Sequence, residues 1–548
     1  MQEVRKDSSP KETVKRIKKI LKVNKIKVKE LKVKNIYEKF YSIRLELKDF
    51  YNLGSNGKGL TKDLAKASAY AELMERLESR MLLNTYYLNK EKTFITYCDE
   101  TYKKFLRDKN LLKTFFEKNV KIDEFLDKND KYHYVSKYKN LIDHKDEYLP
   151  SKLINATSFS NGLCAGNNYY EAVSQGICEI FERYCYKKIL ENEKPLTTIT
   201  LDNTLPIYTR IKYLEEQGFS IKIKNCTLNK YPVIGVYITN QEKDKYIFTL
   251  GCDPNINVAI QRCLTESFQG LTTNKQILNK MKPIENNYSS LTPSEKKSNW
   301  LKNYSSNNGI HPKILFDSEK TISYKKLKCF NNLKTNKEIY NYLLEIISDN
   351  NHQIYLKDFS HLGFNTYKVF IPTLSNIDPI SNSEKDLIKY YDLLKEIYFD
   401  LDNYNDYENL KKASSIIEPI INNNKFQFIK LGSYFHSNNF IKTNYNDITF
   451  ELLYVLINYK LNSKLKLNKL SNKKLSNYIS SINSEDKYTY IIKDLKLKLP
   501  SCPNCTTCKV KRTCKYKQFL KLNKTLKDKE KAFQKWTAFL LFLSWHFL

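Results

Sequence analysis

No stretch of this 548-residue chain is long and apolar enough to cross a bilayer as a helix, and that absence sets aside membrane-spanning helical classes first. The one long apolar run, Ala538 to Leu548, is eleven residues with Ser544 and His546 inside it, and its simplest use is to dock on the protein itself. No secretory leader is expected either: Met1-Gln2-Glu3-Val4-Arg5-Lys6-Asp7 opens polar and reaches no apolar core, so the expected location is cytoplasmic. Also missing are a Walker loop, a kinase catalytic-loop signature and a dinucleotide fingerprint, which excludes the commonest nucleotide-binding designs. Acidic residues are scarce, 60 against 92 lysines and arginines, for a formal charge of +32. The lysines are spread through every segment among abundant asparagine, with no basic stripe beside an aromatic stacking motif, so specific nucleic-acid binding is not expected. An acidic peptide partner, or proximity to the ribosome, is compatible with that charge.

What the chain does contain is a buried repeat. Hydrophobic residues make up 41% and aromatics 13%, enough for a sizeable core in two to four domains. Ala65, Ala172 and Ala259 each stand seven residues before a glutamate, namely Glu72, Glu179 and Glu266. Three residues further on come Glu75, Glu182 and Gln269, and Arg76 and Arg183 follow in the first two copies. On a helix, positions i, i+3 and i+4 share a face, so each copy projects acidic or amide groups together, joined in two copies by a cation. Glycine-bearing turns precede each copy: Gly57-Lys58-Gly59, Asn161 to Asn167, and Gly251-Cys252-Asp253-Pro254. The distances Gly59 to Glu72 and Gly166 to Glu179 are both thirteen residues, which marks internal duplication. Copies about 107 and 87 residues apart are too widely spaced for a solenoid and suit subdomains converging on one site. Carboxylates take hard divalent cations and glycine turns ahead of helices present N–H groups to anions, so the expected site binds magnesium and a nucleotide.

The strings 55–77, 159–184 and 250–270 resemble the three nucleotide-site motifs of the YcaO family, and 231–240 and 354–379 resemble its stand-alone bacterial branch. That resemblance implies a YcaO-type α/β (α+β) fold, with pseudo-repeated sheet and helix subdomains around a Mg–ATP site over residues 1–380. It implies that ATP phosphorylates a peptide-backbone amide for post-translational modification, giving a thioamide or an azoline. By the same carry-over, Glu72, Glu75, Glu179, Glu182 and Glu266 face Mg2+, with Gln269 beside them. Arg183 and Arg262 are similar to the phosphate-side cations, and Lys6, Thr13, Ser68 and Asn167 to further ATP contacts. Asp253 departs from the pattern, standing where a histidine is expected. The proline-rich tail of azoline-forming members is absent, which, with the likeness to the stand-alone branch, favours sulfur exchange or an accessory role over ring formation. A non-catalytic alternative is an accessory factor for methylthiolation of a ribosomal protein. The implied partners are a peptide or protein substrate, a sulfur-transfer or radical methylthiotransferase protein, and a second copy in a homodimer.

Four cysteines follow the spacing Cys502-x2-Cys505-x2-Cys508-x5-Cys514. In a reducing compartment such a cluster is read as a soft-metal centre, a [4Fe–4S] cluster or Zn2+. The dispersed Cys98, Cys164, Cys178, Cys185, Cys226, Cys252, Cys263 and Cys329 read as reduced packing groups. Ser9-Pro10-Lys11-Glu12 is a capping box with proline at the first helical position. Strands are expected at Lys25 to Val28, Ser42 to Leu47 and within 219–251; the polar stretch 84–150 is expected to be a helical insertion and 285–308 a loop. Residues 381–500 carry mostly helical periodicity, and 501–548 form a cysteine-rich segment with an apolar tail.

Overall fold

The computed structural model describes residues 6–37, 39–48, 53–79, 115–116, 136–421, 431, 448–463, 470, 472–495 and 529. The described residues form a mixed helix and sheet structure with three sheets. The first has β3 (Phe40–Leu47) at its centre, with β1 (Val28–Glu30) and β2 (Lys34–Ile36) on one side and β4 (Gly54–Gly59) on the other. The second runs β6 (Asp146–Leu149), β5 (Ser136–Asn140), β14 (Tyr355–Asp358), β15 (Asn365–Phe370), β7 (Leu163–Gly166). The third runs β12 (Lys282–Pro283), β11 (Lys245–Cys252), β10 (Val233–Thr239), β9 (Ser220–Asn225), β8 (Thr198–Thr200), β13 (Thr321–Ser323). Pairing is antiparallel apart from β8 with β13.

The repeat becomes a repeated strand–cap–helix unit. β4 leads into the helix Lys62–Glu78, β7 into Tyr169–Asn192 and β11 into Ile256–Ser267, hereafter the first, second and third acidic helices. Each begins at a side-chain cap that accepts a free backbone N–H: Thr61 from Leu64, Asn168 from Glu171, and Asn255 from Asn257 and Val258. The alanine of each copy is a crossing point. A Cβ on Gly57 would overlap the Ala65 carbonyl oxygen, one on Gly251 the Ala259 carbonyl oxygen, and one on Gly166 would stand 2.8 Å from the Ala172 nitrogen. Small residue thus meets small residue so that helix backbone lies directly on strand backbone. The first acidic helix also packs on β7, the second on β11 and the third on β4, which closes the three units into a ring.

The period-2 alternation of β10 divides its side chains between two cores. Val233 and Tyr237 face the core under the second acidic helix, while Ile234, Val236 and Ile238 face the core under the third. A third core joins the first acidic helix to the N-terminal helix Pro10–Val23 through Ile17, Leu21, Ala69 and Leu73. That N-terminal helix starts at Ser9 with both hydrogen bonds of the capping box in place. Residues 387–491 carry a further, all-helical core of their own, centred on Leu453, Val455, Leu456 and Ile457 of the helix Phe450–Lys460.

Four local expectations are corrected. Gly57 and Gly59 belong to a strand rather than a turn, because their work is close approach to the helix that follows. The first strand begins at Val28, since Lys25 adopts the left-handed conformation that ends the N-terminal helix region. Within the polar insertion, residues 136–149 form a β-hairpin of β5 and β6. Residues Pro293–Ser306 form a helix, opened by Thr292 and Glu295 in a capping box that outweighs the asparagine- and serine-rich composition. Seven cysteines, Cys164, Cys178, Cys185, Cys226, Cys252, Cys263 and Cys329, are free and buried as expected. Cys98 and the cluster Cys502, Cys505, Cys508 and Cys514 lie outside the described residues, as does the apolar run 538–548. Among the described residues no helix is long and apolar enough to cross a membrane.

Candidate functional site

The ring of three units encloses a cavity of about 520 Å3. All twelve residues expected at the nucleotide site line it: Lys6, Thr13, Ser68, Glu72, Glu75, Asn167, Glu179, Glu182, Arg183, Arg262, Glu266 and Gln269. The reason is register. Positions eight and four residues before each leading glutamate, the glutamate itself, and the position three after it all reach the cavity, as helix periodicity requires of one face. That register also finds residues the sequence reading passed over. Gln175 occupies the place of Ser68 and Arg262, and Glu171 the place of Leu64 and Val258.

Charge is crowded here. Glu72, Glu75, Glu171, Glu179, Glu182 and Glu266 face Lys6, Lys58, Arg76, Arg183 and Arg262 around one cavity. Lys58, carried in from β4 between Gly57 and Gly59, pairs with Glu266, whose other oxygen accepts from the Asn307 side chain at 3.1 Å. Arg76 donates to Glu72 at 3.0 Å one turn away. Arg262 stands 3.6 Å from Asp253, so the residue that departs from the family pattern faces a cation of the cavity. Lys6 reaches Glu171 at 2.8 Å, and Thr13 donates to Asn167 at 2.8 Å, which ties the N-terminal helix to the wall of the cavity. Arg183 stacks over Tyr304 at 5.1 Å, and its Nε is buried with no hydrogen-bond partner among the described residues. Tyr304 and Asn307 come from the segment read as a loop, and nothing in their local sequence marks them as site residues.

Burial pushes the carboxyls of Glu75, Glu179 and Glu182 above the usual carboxylate range. Arg76 opposes this at Glu75, and Arg183 opposes it at Glu179 and Glu182, but neighbouring glutamates at Glu75 and Glu179 add to it. The same burial brings the Lys58 ammonium down to about 8 despite the attraction of Glu182 and Glu72. Lys368, behind the second acidic helix, falls to about 7 by burial while donating to the carbonyls of Phe159 and Asn161 at 2.9 and 2.6 Å. Carboxylates held above their normal range by burial and one another gain from a divalent cation between them. Among the described residues, no three His, Cys, Asp or Glu side chains close on a single metal position. Magnesium fits such a set nonetheless, since it is commonly held by one or two carboxylates with phosphate oxygens and water completing its shell.

The YcaO cyclodehydratase family model, described as ATP- and Mg2+-binding, matches residues 56–375, more than half of the chain. A protein of Haemophilus influenzae is 29% identical over 360 residues, 62% of this chain and 60% of that one. The ribosomal protein S12 methylthiotransferase accessory factor YcaO of Escherichia coli is 25% identical over 397 residues, 68% of this chain and 66% of that one. The match thus spans about three fifths to two thirds of the length of these curated relatives. A solved structure of YcaO from Methanopyrus kandleri, bound with AMPPCP and Mg2+, aligns with a TM-score of 0.46 at 16% identity over 68% of this chain and 93% of that one.

Proposed function

Because the chain belongs to the YcaO family, we propose that its cavity binds Mg–ATP and that the protein phosphorylates the oxygen of a polypeptide backbone amide. In this reaction the amide oxygen attacks the γ-phosphorus, the bond to the bridging oxygen breaks, and ADP leaves. A nucleophile then adds at the activated carbon and phosphate departs, giving a thioamide from a sulfide donor or an azoline from a neighbouring side chain. An amide is a poor electrophile until its oxygen carries a leaving group, so ATP use and covalent change are coupled.

The observation that carries this reading is the convergence of the in-register glutamates from three helices on one cavity that also holds an arginine from each of those helices, Arg76, Arg183 and Arg262, and two lysines from neighbouring elements, Lys6 and Lys58. Glu72, Glu75, Glu179, Glu182 and Glu266 would hold magnesium through pairs of carboxylates, and the metal when bound neutralises phosphate charge. Arg183, Arg262 and Lys58 supply fixed positive charge toward the transferring phosphoryl group, where the transition state is most anionic. Asn167 and Thr13 position the nucleotide from the N-terminal side, and Ser68 and Gln175 offer neutral donors on the same helical register.

The role named for the Escherichia coli relative favours a second reading, an accessory factor that supports methylthiolation by a partner enzyme. Keeping so many ionisable groups in a cavity costs stability when nothing binds them, which argues for a bound ligand under either reading. Candidate polypeptides incubated with the protein, Mg–ATP and sulfide distinguish the two by mass spectrometry. Phosphate release should appear only with the true substrate and should track oxygen-for-sulfur exchange or loss of water. ATP hydrolysis at one rate with and without a polypeptide that is modified in the cell would sink the catalytic reading.

A further inference from the structure

A second hollow of about 1000 Å3 opens off the cavity, and Lys6, Val258 and Gln261 line both. We propose that this groove seats the polypeptide substrate and selects acidic segments, an inference that rests on the backbone-phosphorylation reading. The groove is walled by the starts of three helices, Tyr208–Glu216, the third acidic helix and Asn336–Asp349. Its volume lies at the upper end of the roughly 300–1,000 Å3 of sites for small ligands and suits an extended peptide segment.

Two observations set the chemistry of the occupant. Gln261 is 9% exposed, and its carboxamide has no hydrogen-bond partner among the described residues. It stands where the two hollows meet, and its paired donor and acceptor match the C=O and N–H of a peptide unit. A backbone amide held there lies at the mouth of the nucleotide cavity. Charge is the second observation: Arg210, Lys325 and Lys334 line the groove, together with Lys6, which Glu171 already pairs at 2.8 Å, against one lining acid, Asp7. Asp7 is already engaged by the side chains of Asn168 and Asn336 at 2.6 and 2.7 Å. Lys325 shares its charge with Asp202 at 2.8 Å while its side chain remains 65% exposed, and Lys334 is exposed with no side-chain partner among the described residues. Helix N-termini on three walls add partial positive charge of the same sign. Tyr324 and Phe330 give apolar surface for intervening side chains.

The test uses the full chain and a fluorescein-labelled peptide of alternating glycine and glutamate, with a glycine–glutamine peptide as the neutral counterpart, read by fluorescence anisotropy. The Arg210→Glu/Lys334→Glu variant should weaken the acidic peptide on the order of tenfold, with Mg–ATP affinity by calorimetry equal to that of wild type. A Lys19→Glu/Lys22→Glu variant makes the same charge change on the N-terminal helix, outside both hollows, and should bind the acidic peptide as wild type does. Equal loss in the two variants would mean that net charge alone attracts the peptide, and the groove assignment fails. Equal binding of the neutral peptide, or no binding of the acidic one by wild type, overturns it as well. A wild type that binds the acidic peptide in the groove but no Mg–ATP would leave this assignment standing and defeat the kinase reading.

Discussion

His311 is sealed between two tyrosines, its Nε2 on the Tyr186 hydroxyl and its Nδ1 2.9 Å from the Tyr246 hydroxyl. Tyr186 itself lines the nucleotide cavity, so this triad braces the site from behind. Burial, with Lys282 adding, pushes the imidazole down to about 3 from its usual 6.5. The sign follows directly. Above 6.5 the ring is neutral in the folded and unfolded chain, and its contribution is complete; below 6.5 the unfolded chain takes a proton that the fold refuses. Stability should therefore fall on acidification, by ~1.4 kcal/mol per pH unit while the two states differ by that one proton. Thermal midpoints of wild type and His311→Gln, measured from neutral pH down to about pH 4, should diverge at neutrality and draw together in acid. Parallel curves would mean that the histidine takes up its proton as readily in the fold as in the unfolded chain. None of this was legible locally: a lone histidine in Gly-Ile-His-Pro gives no sign of Tyr186 or Tyr246, each more than sixty residues away.

The strand–cap–helix unit is where sequence spoke most clearly. Its helical register was visible because carboxylates at i and i+3 must share a face, and the same register, extended back one turn, reaches Gln175. The glycines were visible too, but their meaning was not. A glycine before a helix reads as a turn until the partner backbone is known, and here that partner is the helix of its own unit. Gly57→Ala should accordingly push the first acidic helix off β4 and destabilise the protein by about 1–3 kcal/mol, the usual cost of overpacking a tight core. Denaturant unfolding checks this, and an unchanged midpoint would refute the crossing-point account. Capping chemistry was read at Ser9 to Glu12 and missed at Thr292 to Glu295, although both carry proline at the first helical position. Composition masked the second, and with it Tyr304 and Asn307. Lys58 was missed for a different reason: an alternating strand aims it inward, but only the ring of units shows what it meets.

At the scale of the whole molecule, a formal charge of +32 gives no local address, because lysine is everywhere. The fold supplies one, by gathering acids into the cavity and leaving cations along the adjoining groove. The three units depend on one another, each acidic helix resting on the next unit's strand, so the site exists only when the ring closes. The described residues of 387–491 build a separate core, and none of them lines either hollow. The account's central claim is that in-register glutamates make this cavity a magnesium-dependent ATP site. Isothermal titration of ATP into the full chain, with and without magnesium, tests it most directly, alongside Glu72→Gln, Glu179→Gln and Glu266→Gln. The expected result is one ATP bound per chain only with magnesium, weakened at least roughly tenfold in each variant as loss of a metal ligand requires, with unfolding midpoints preserved. Binding of equal strength without magnesium, or wild-type affinity in all three variants, would contradict it.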